Sequence, residues 1–183
     1  MEYFANQVGI AIKNVRLFEK TLYLSRYDAL TGIYNRHYFE ELYANLDKRS
    51  KRYGEHFCIC IMDLNNLKQI NDRFGHNAGD LAIKHFTNIF VENIRESDIL
   101  ARLGGDEFVA VFLNSDFDNT NQRILHIQSK LSGSPIQYDK DSFSVHFSFG
   151  IACYPKDASE GKDLIRIADQ RMYSNKAHQK TTT

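Results

Sequence analysis

Arg102-Leu103-Gly104-Gly105-Asp106-Glu107-Phe108 sets two adjacent carboxylates on a glycine pair between two strand-like runs, residues 98–103 and 108–113. A Gly-Gly pair between runs rich in β-formers predicts a hairpin, with Asp106 and Glu107 at its tip. Glycine permits positive φ and lets a ligand approach the backbone, while neighbouring carboxylates repel each other until a cation binds. The reading is a divalent-cation site; the plainer alternative is an exposed acidic turn.

Residues 57–63, Phe-Cys-Ile-Cys-Ile-Met-Asp, form a continuous apolar run that ends in a carboxylate. Such a run predicts a buried strand with Asp63 at the edge of a crevice. Laid beside the hairpin, it would bring Asp63, Asp106 and Glu107 to one oxygen-rich spot, the kind of site Mg²⁺ shares with substrate phosphates. Asp63-x-Asn65 also opens like a calcium-binding EF-hand loop. Leu67 and Lys68 at the next ligand and glycine positions, and Phe74 in place of the terminal glutamate, exclude that reading.

With these residues assembled, the sequence resembles the GGDEF-domain family, the diguanylate cyclases that condense two GTP into cyclic di-GMP. The resemblance rests on Arg102 to Phe108 and on the stretch Asp63-Leu64-Asn65-Asn66-Leu67-Lys68-x-x-Asn71-Asp72-x-x-Gly75-His76-x-x-Gly79-Asp80. Asp28-Ala29-Leu30-Thr31-Gly32-Ile33-Tyr34-Asn35-Arg36 is similar to the family's opening motif, and Ala168-Asp169-x-x-Met172-Tyr173-x-x-Lys176 to its last helix. These motifs stand in the family's order over about residues 26–180.

The resemblance implies an α/β (α+β) fold, a five-stranded mixed central sheet with surrounding helices, akin to the palm of nucleotide cyclases and polymerases. It implies two Mg²⁺ per active site, with Mn²⁺ as a substitute, held by Asp63, the Leu64 carbonyl, Asp106 and Glu107. Asp106, Glu107 and Lys68 are the implied catalytic residues. Asn65, Asn66, Leu67, Lys68, Gly104, Gly105, Lys176 and Lys180 would meet the triphosphate, and Asn71 and Asp80 would read guanine. It further implies a two-fold homodimer and a product-inhibition site of Arg95, Asp98, Arg102, Arg123 and His126. Arg95-Glu96-Ser97-Asp98 stands five residues before Gly104, and His126 aligns with a further arginine of the family. That histidine and the ending His178-Gln179-Lys180 depart from the family pattern and bear on product and triphosphate binding. The competing reading is a catalytically weak module that binds GTP or cyclic di-GMP and regulates a partner; loss of an acid of the turn, Lys68, Asn71 or Asp80 would favour it, and all are present.

The 23 basic and 23 acidic residues balance, so no broad basic field exists for polymeric nucleic acid. Cys58, Cys60 and Cys153 lack structural-zinc spacing, which predicts reduced core thiols and a reducing compartment. With neither a membrane-length apolar run nor a signal peptide, the expectation is a cytoplasmic piece without a membrane. Residues 1–26 predict a long signalling helix, and 27–180 the catalytic domain. Phe4, Val8, Ala11, Val15, Phe18 and Leu22 recur at steps of four and three, a seam that either pairs with a second copy or docks on its own chain. Residues 5–18 resemble the last helix of a GAF sensory domain, so a missing upstream sensor is expected.

Asn35 reads as the N-cap of a helix with Phe39, Leu42, Tyr43 and Leu46 on its apolar stripe. Asp28 and Arg36 are expected to brace their loop as an ion pair. A helix over 77–93 should bury Leu81, His85, Phe86 and Ile89, with His85 a packed histidine, and another spans 117–131. Phe143, Val145, Phe147 and Phe149 alternate with Ser144, His146 and Ser148, predicting a central strand with one face in the core, to which residues 136–138 could pair. A last helix spans 162–177.

Overall fold

Eight consecutive buried residues, Phe57–Leu64, form the strand around which the protein is assembled. The computed structural model describes residues 12, 13, 16, 17 and 20–181, with side chains as far as residue 177. The elements are α1 (helical at residues 20–26), β1 (Tyr34–Asn35), α2 (Arg36–Tyr53), β2 (Phe57–Leu64), α3 (Leu67–Phe74) and α4 (His76–Val91). They continue with β3 (Ile99–Gly104), β4 (Glu107–Leu113), α5 (Phe117–Ser132), β5 (Ile136–Tyr138), β6 (Asp141–Phe143), β7 (Phe147–Tyr154) and α6 (Gly161–Thr181).

The central sheet has the order β1-β3-β4-β2-β7, antiparallel except for the β1–β3 pair, so it is mixed. Strand alternation sends Phe57, Ile59 and Ile61 to one face and Cys58, Cys60, Met62 and Leu64 to the other. Helices cover both faces, which is why β2 reads as an unbroken apolar run. On one side Ile70, Phe86, Phe90, Ile124 and Leu131 from α3, α4 and α5 pack on the sheet. On the other, Phe39 and Tyr43 of α2 meet Leu164, Ala168 and Met172 of α6. Fully burying a side chain such as Phe86 contributes about 1.5–3 kcal/mol. Helix α6 lies so close to β7 that a Cβ on Gly150 would strike the backbone of Ala168 and Met172.

Several expectations hold. Asn35 caps α2, its side chain accepting from the Tyr38 amide, and Phe39, Tyr43 and Leu46 are buried. His85 is half-buried with Nε2 2.8 Å from the Ser134 carbonyl, tying α4 to the loop after α5.

Others are corrected. The alternating run over 143–149 is not one strand: Asp141–Phe143 turns back on β5, and Phe143 stacks on Phe74 at 5.3 Å. The chain re-enters the sheet only at Phe147, as an edge strand and not a central one, with Ser148 fully buried. Helices on both faces of β7 remove the polar face that alternation predicts. Leu81 is 43% exposed, because the buried arc of α4 runs through Ala78, Ala82, Ile83, Phe86 and Phe90. Asp28 and Arg36 do not pair with each other; both reach the β3–β4 hairpin.

Cys58 and Cys153 are not reduced thiols but a disulfide joining β2 to β7. The two strands set these residues directly opposite, although 95 positions separate them in the chain. The inference of a reducing compartment therefore loses its support. Cys60, two residues along the same face, is a buried thiol whose burial pushes its pKa far above the ordinary range. No described helix is long and apolar enough to cross a membrane. Of the proposed seam only Leu22 falls within the described residues, where it is 40% exposed; Phe4, Val8, Ala11, Val15 and Phe18, and most of the GAF-like stretch, lie outside them.

Candidate active site

The β2–β4 register sets Asp63 directly opposite Glu107. The Leu64 amide donates to the Asp106 carbonyl at 3.0 Å, which fixes the hairpin tip to the end of β2. Gly104 (φ 142°) and Gly105 (φ 54°) supply the backbone that the tip requires, with a register shift between Arg102 and Gly104. The three carboxylates predicted to converge are thus brought to the same end of two paired strands.

Cross-strand carboxylates repel, and cations answer them. By alternation Asp63 lies on the α2/α6 face, and there Lys176 of α6 donates to its Oδ1 at 2.6 Å. Asp63 is 8% exposed, so this pair offsets much of the cost of its desolvation. Glu107 is exposed, with Arg36 at 3.6 Å. Among the described residues, no three His, Cys, Asp or Glu side chains already stand close enough to hold a metal ion. The donors at this corner are all carboxylate and carbonyl oxygens, which fits a hard cation such as Mg²⁺.

The hairpin is braced from outside. Arg102 donates from Nε and Nη2 to the Gly105 carbonyl at 3.1 and 2.8 Å, and from Nη1 to Asp28 at 3.1 Å. Thr31 donates to the same carboxylate through its amide and hydroxyl, and Arg36 Nε donates to the Leu103 carbonyl at 2.8 Å. Arg102 sits here in the hairpin's own support. The brace was missed because its members lie in separate motifs; the only cue was a charged residue in each.

After β2 the chain turns through Asn65 and Asn66 into α3. The Asn65 amide donates to the His146 carbonyl at 2.8 Å, and its side chain accepts from Ser148. Asn66 adopts the left-handed conformation (φ 60°) and makes no side-chain cap. The first-turn amides, with Leu67 and Lys68, thus lack both helical carbonyls and a cap, a setting suited to an anion. Lys68 is exposed. Asn71, midway along α3, faces Gly79 of α4, and Asp80 is exposed one residue beyond that glycine. Asn71 Oδ1 is buried without a hydrogen-bond partner.

On the other side of the sheet ends, Asp98 is 9% exposed and fully engaged. It accepts from the Arg95 and Leu113 amides at 3.0 and 3.2 Å and from Arg123 Nη1 at 3.2 Å. Arg95 and His126 are exposed. The Lys180 side chain lies outside the described residues.

Fold and site place the chain among α+β domains that carry an acidic hairpin on a helix-covered mixed sheet. Residues 25–182 match the family described as "Diguanylate cyclase, GGDEF domain", and the chain belongs to that family. It is 34% identical over 162 residues to YhcK of Bacillus subtilis, covering 87% of this chain and 45% of YhcK. To the diguanylate cyclase DgcS of Shewanella oneidensis it is 30% identical over 169 residues, covering 90% of this chain and 54% of DgcS. The chain thus spans about half the length of these curated relatives. Its fold is that of the coiled coil and GGDEF domain of DgcB from Caulobacter crescentus, solved with cyclic di-GMP: TM-score 0.86, 20% identity, 96% of this chain and 93% of that one.

Proposed function

We propose that this chain is the output domain of a diguanylate cyclase, joining two GTP into cyclic di-GMP with release of two pyrophosphates. The observation that carries the reading is the register that opposes Asp63 to Glu107 while the Leu64 amide holds the Asp106 carbonyl. In each half-reaction the 3′-oxygen of one nucleotide bonds to the α-phosphorus of the other, the bond to pyrophosphate breaks, and the 3′-hydroxyl proton is lost. Asp63, the Leu64 carbonyl, Asp106 and Glu107 would hold two Mg²⁺, which when bound would supply charge stabilisation for the attacking and leaving oxygens. Asp106 accepts the hydroxyl proton. Lys68 and the first-turn amides of α3 take phosphate oxygens, and Lys176 and Lys180 add charge at the triphosphate. Asn71 and Asp80 read guanine, since a carboxylate accepts from both N1–H and the exocyclic amine, an edge adenine does not offer.

One site holds one GTP, so the reaction needs two copies related by a two-fold axis, with the N-terminal helix governing their encounter. Exposed Arg95 and His126, with Asp98 and Arg123, form the product-feedback site of this reading; Arg102, engaged by Asp28 and the Gly105 carbonyl at the hairpin, is left out of it. The support for Arg95 is its exposure beside a carboxylate that does not take its guanidinium.

Incubation with GTP and Mg²⁺, with products resolved by chromatography, tests the proposal. Cyclic di-GMP formed at a per-subunit rate that rises with protein concentration is the expected result. GTP binding without product would turn the reading to a regulatory nucleotide-binding module.

A further inference from the structure

Ser148 stands directly opposite Asp63 in the β2–β7 register and is fully buried. Alternation along β7 puts it on the α2/α6 face with Ala152, the face on which Lys176 meets Asp63. A buried hydroxyl costs stability unless it is hydrogen-bonded, and this one donates to Asn65 Oδ1 at 2.9 Å. Just before β7, the His146 carbonyl accepts from the Asn65 amide at 2.8 Å. The chain entering β7 therefore grips Asn65 by its main chain and by its side chain. A peptide unit is planar and trans, so an Asn65 N–H aimed at His146 turns the Leu64 carbonyl the opposite way, toward the side on which the Leu64 amide meets the Asp106 carbonyl. Left-handed Asn66 and the first turn of α3 follow directly.

We propose that Ser148 is a positioning residue for triphosphate binding: through Asn65 it holds the turn that presents the Leu64 carbonyl and the first-turn amides of α3. The inference rests on the reading of that turn as the triphosphate site. Ser148 itself is sealed in the core and touches no ligand, whereas Asn65 is half-buried on the turn. Ser148→Ala deletes one oxygen and leaves the packing of β7 in place, so the strand stays while the turn loses its hold.

The test measures binding of a non-hydrolysable GTP analogue, with Mg²⁺, and of guanosine, which carries no phosphate. The proteins are the parent, Ser148→Ala, Asn65→Ala and the double variant, each with a thermal melt. Ser148→Ala should lose about tenfold in affinity for the GTP analogue, the loss expected for one hydrogen bond, and keep the parent affinity for guanosine. Asn65→Ala removes the same bond from the side of the turn and should show the same split. In the double variant the loss should be no larger than in either single one, because the two groups act through one bond. A serine that served stability alone would lower the melting temperature and leave both affinities at the parent value in the folded protein. That result, an equal loss for guanosine and the GTP analogue, or additive losses in the double variant would overturn the inference. A parent that binds the GTP analogue no more tightly than guanosine would remove the triphosphate reading of the turn, and this inference with it.

Discussion

Asp28 and Arg102, 74 residues apart in the chain, are joined at 3.1 Å, and the same guanidinium holds the Gly105 carbonyl at the hairpin tip. The loop that follows α1 is thereby fastened to the acidic turn. Burial alone would raise the Asp28 carboxyl, yet hydrogen bonds from Thr31 and Arg102 and the guanidinium charge hold it below 3.8. A carboxyl depressed in the folded state contributes stability above its unfolded value, and that contribution is lost as pH falls through the folded one. Asp28→Asn should cost about 1–2 kcal/mol at pH 7, a few degrees of melting temperature. The gap between parent and variant should close below about pH 4. Melts of both proteins across this range check it; a gap independent of pH would remove the ion pair from the account.

Asp106→Ala and Glu107→Ala should each abolish formation of cyclic di-GMP while leaving the fold intact. The Glu107–Arg36 pair has both side chains about half exposed, 51% and 56%, and such pairs contribute about 0–1 kcal/mol. Turnover and melting temperature are measured on the same preparations. Near-parent turnover in either variant would sink the assignment of that carboxylate.

Lys176→Met leaves Asp63 buried without its ammonium partner. In the absence of divalent ions this should destabilise the protein by about 3 kcal/mol. Added Mg²⁺ should then raise the melting temperature of the variant more than that of the parent, because the ion replaces a missing charge and no longer competes with one. Equal Mg²⁺ shifts in the two proteins would separate Asp63 from cation binding.

Arg95 and Arg123 should part company. Arg123 neutralises the buried Asp98, so Arg123→Ala should lower stability by about 2 kcal/mol. Exposed Arg95 should melt unchanged as alanine and lose inhibition by cyclic di-GMP. Initial rates against added cyclic di-GMP, beside melts, distinguish them; undiminished inhibition in Arg95→Ala would exclude it from the feedback site.

The hairpin, the cap at Asn35 and the apolar strand ending in Asp63 were legible in the sequence because each is written in a few adjacent residues. Periodicity failed where burial was two-sided. Ser148 reads as solvated beside Phe147 and Phe149, yet helices on both sides of β7 enclose it. Leu81 reads as core, yet α4 turns its alanines and phenylalanines inward.

By itself the sequence determined the strand-and-turn grammar: glycines where the backbone needs positive φ, a caesura of carboxylates at strand ends, and helix stripes. Those properties follow from local sterics and from the side-chain period of each element. The tertiary structure alone decided the partners: Cys153 for Cys58, Lys176 for Asp63, Arg102 for Asp28, Gly79 for Asn71. Such pairings depend on strand register and on how closely helices approach, quantities that arise only when elements distant in the chain pack against one another.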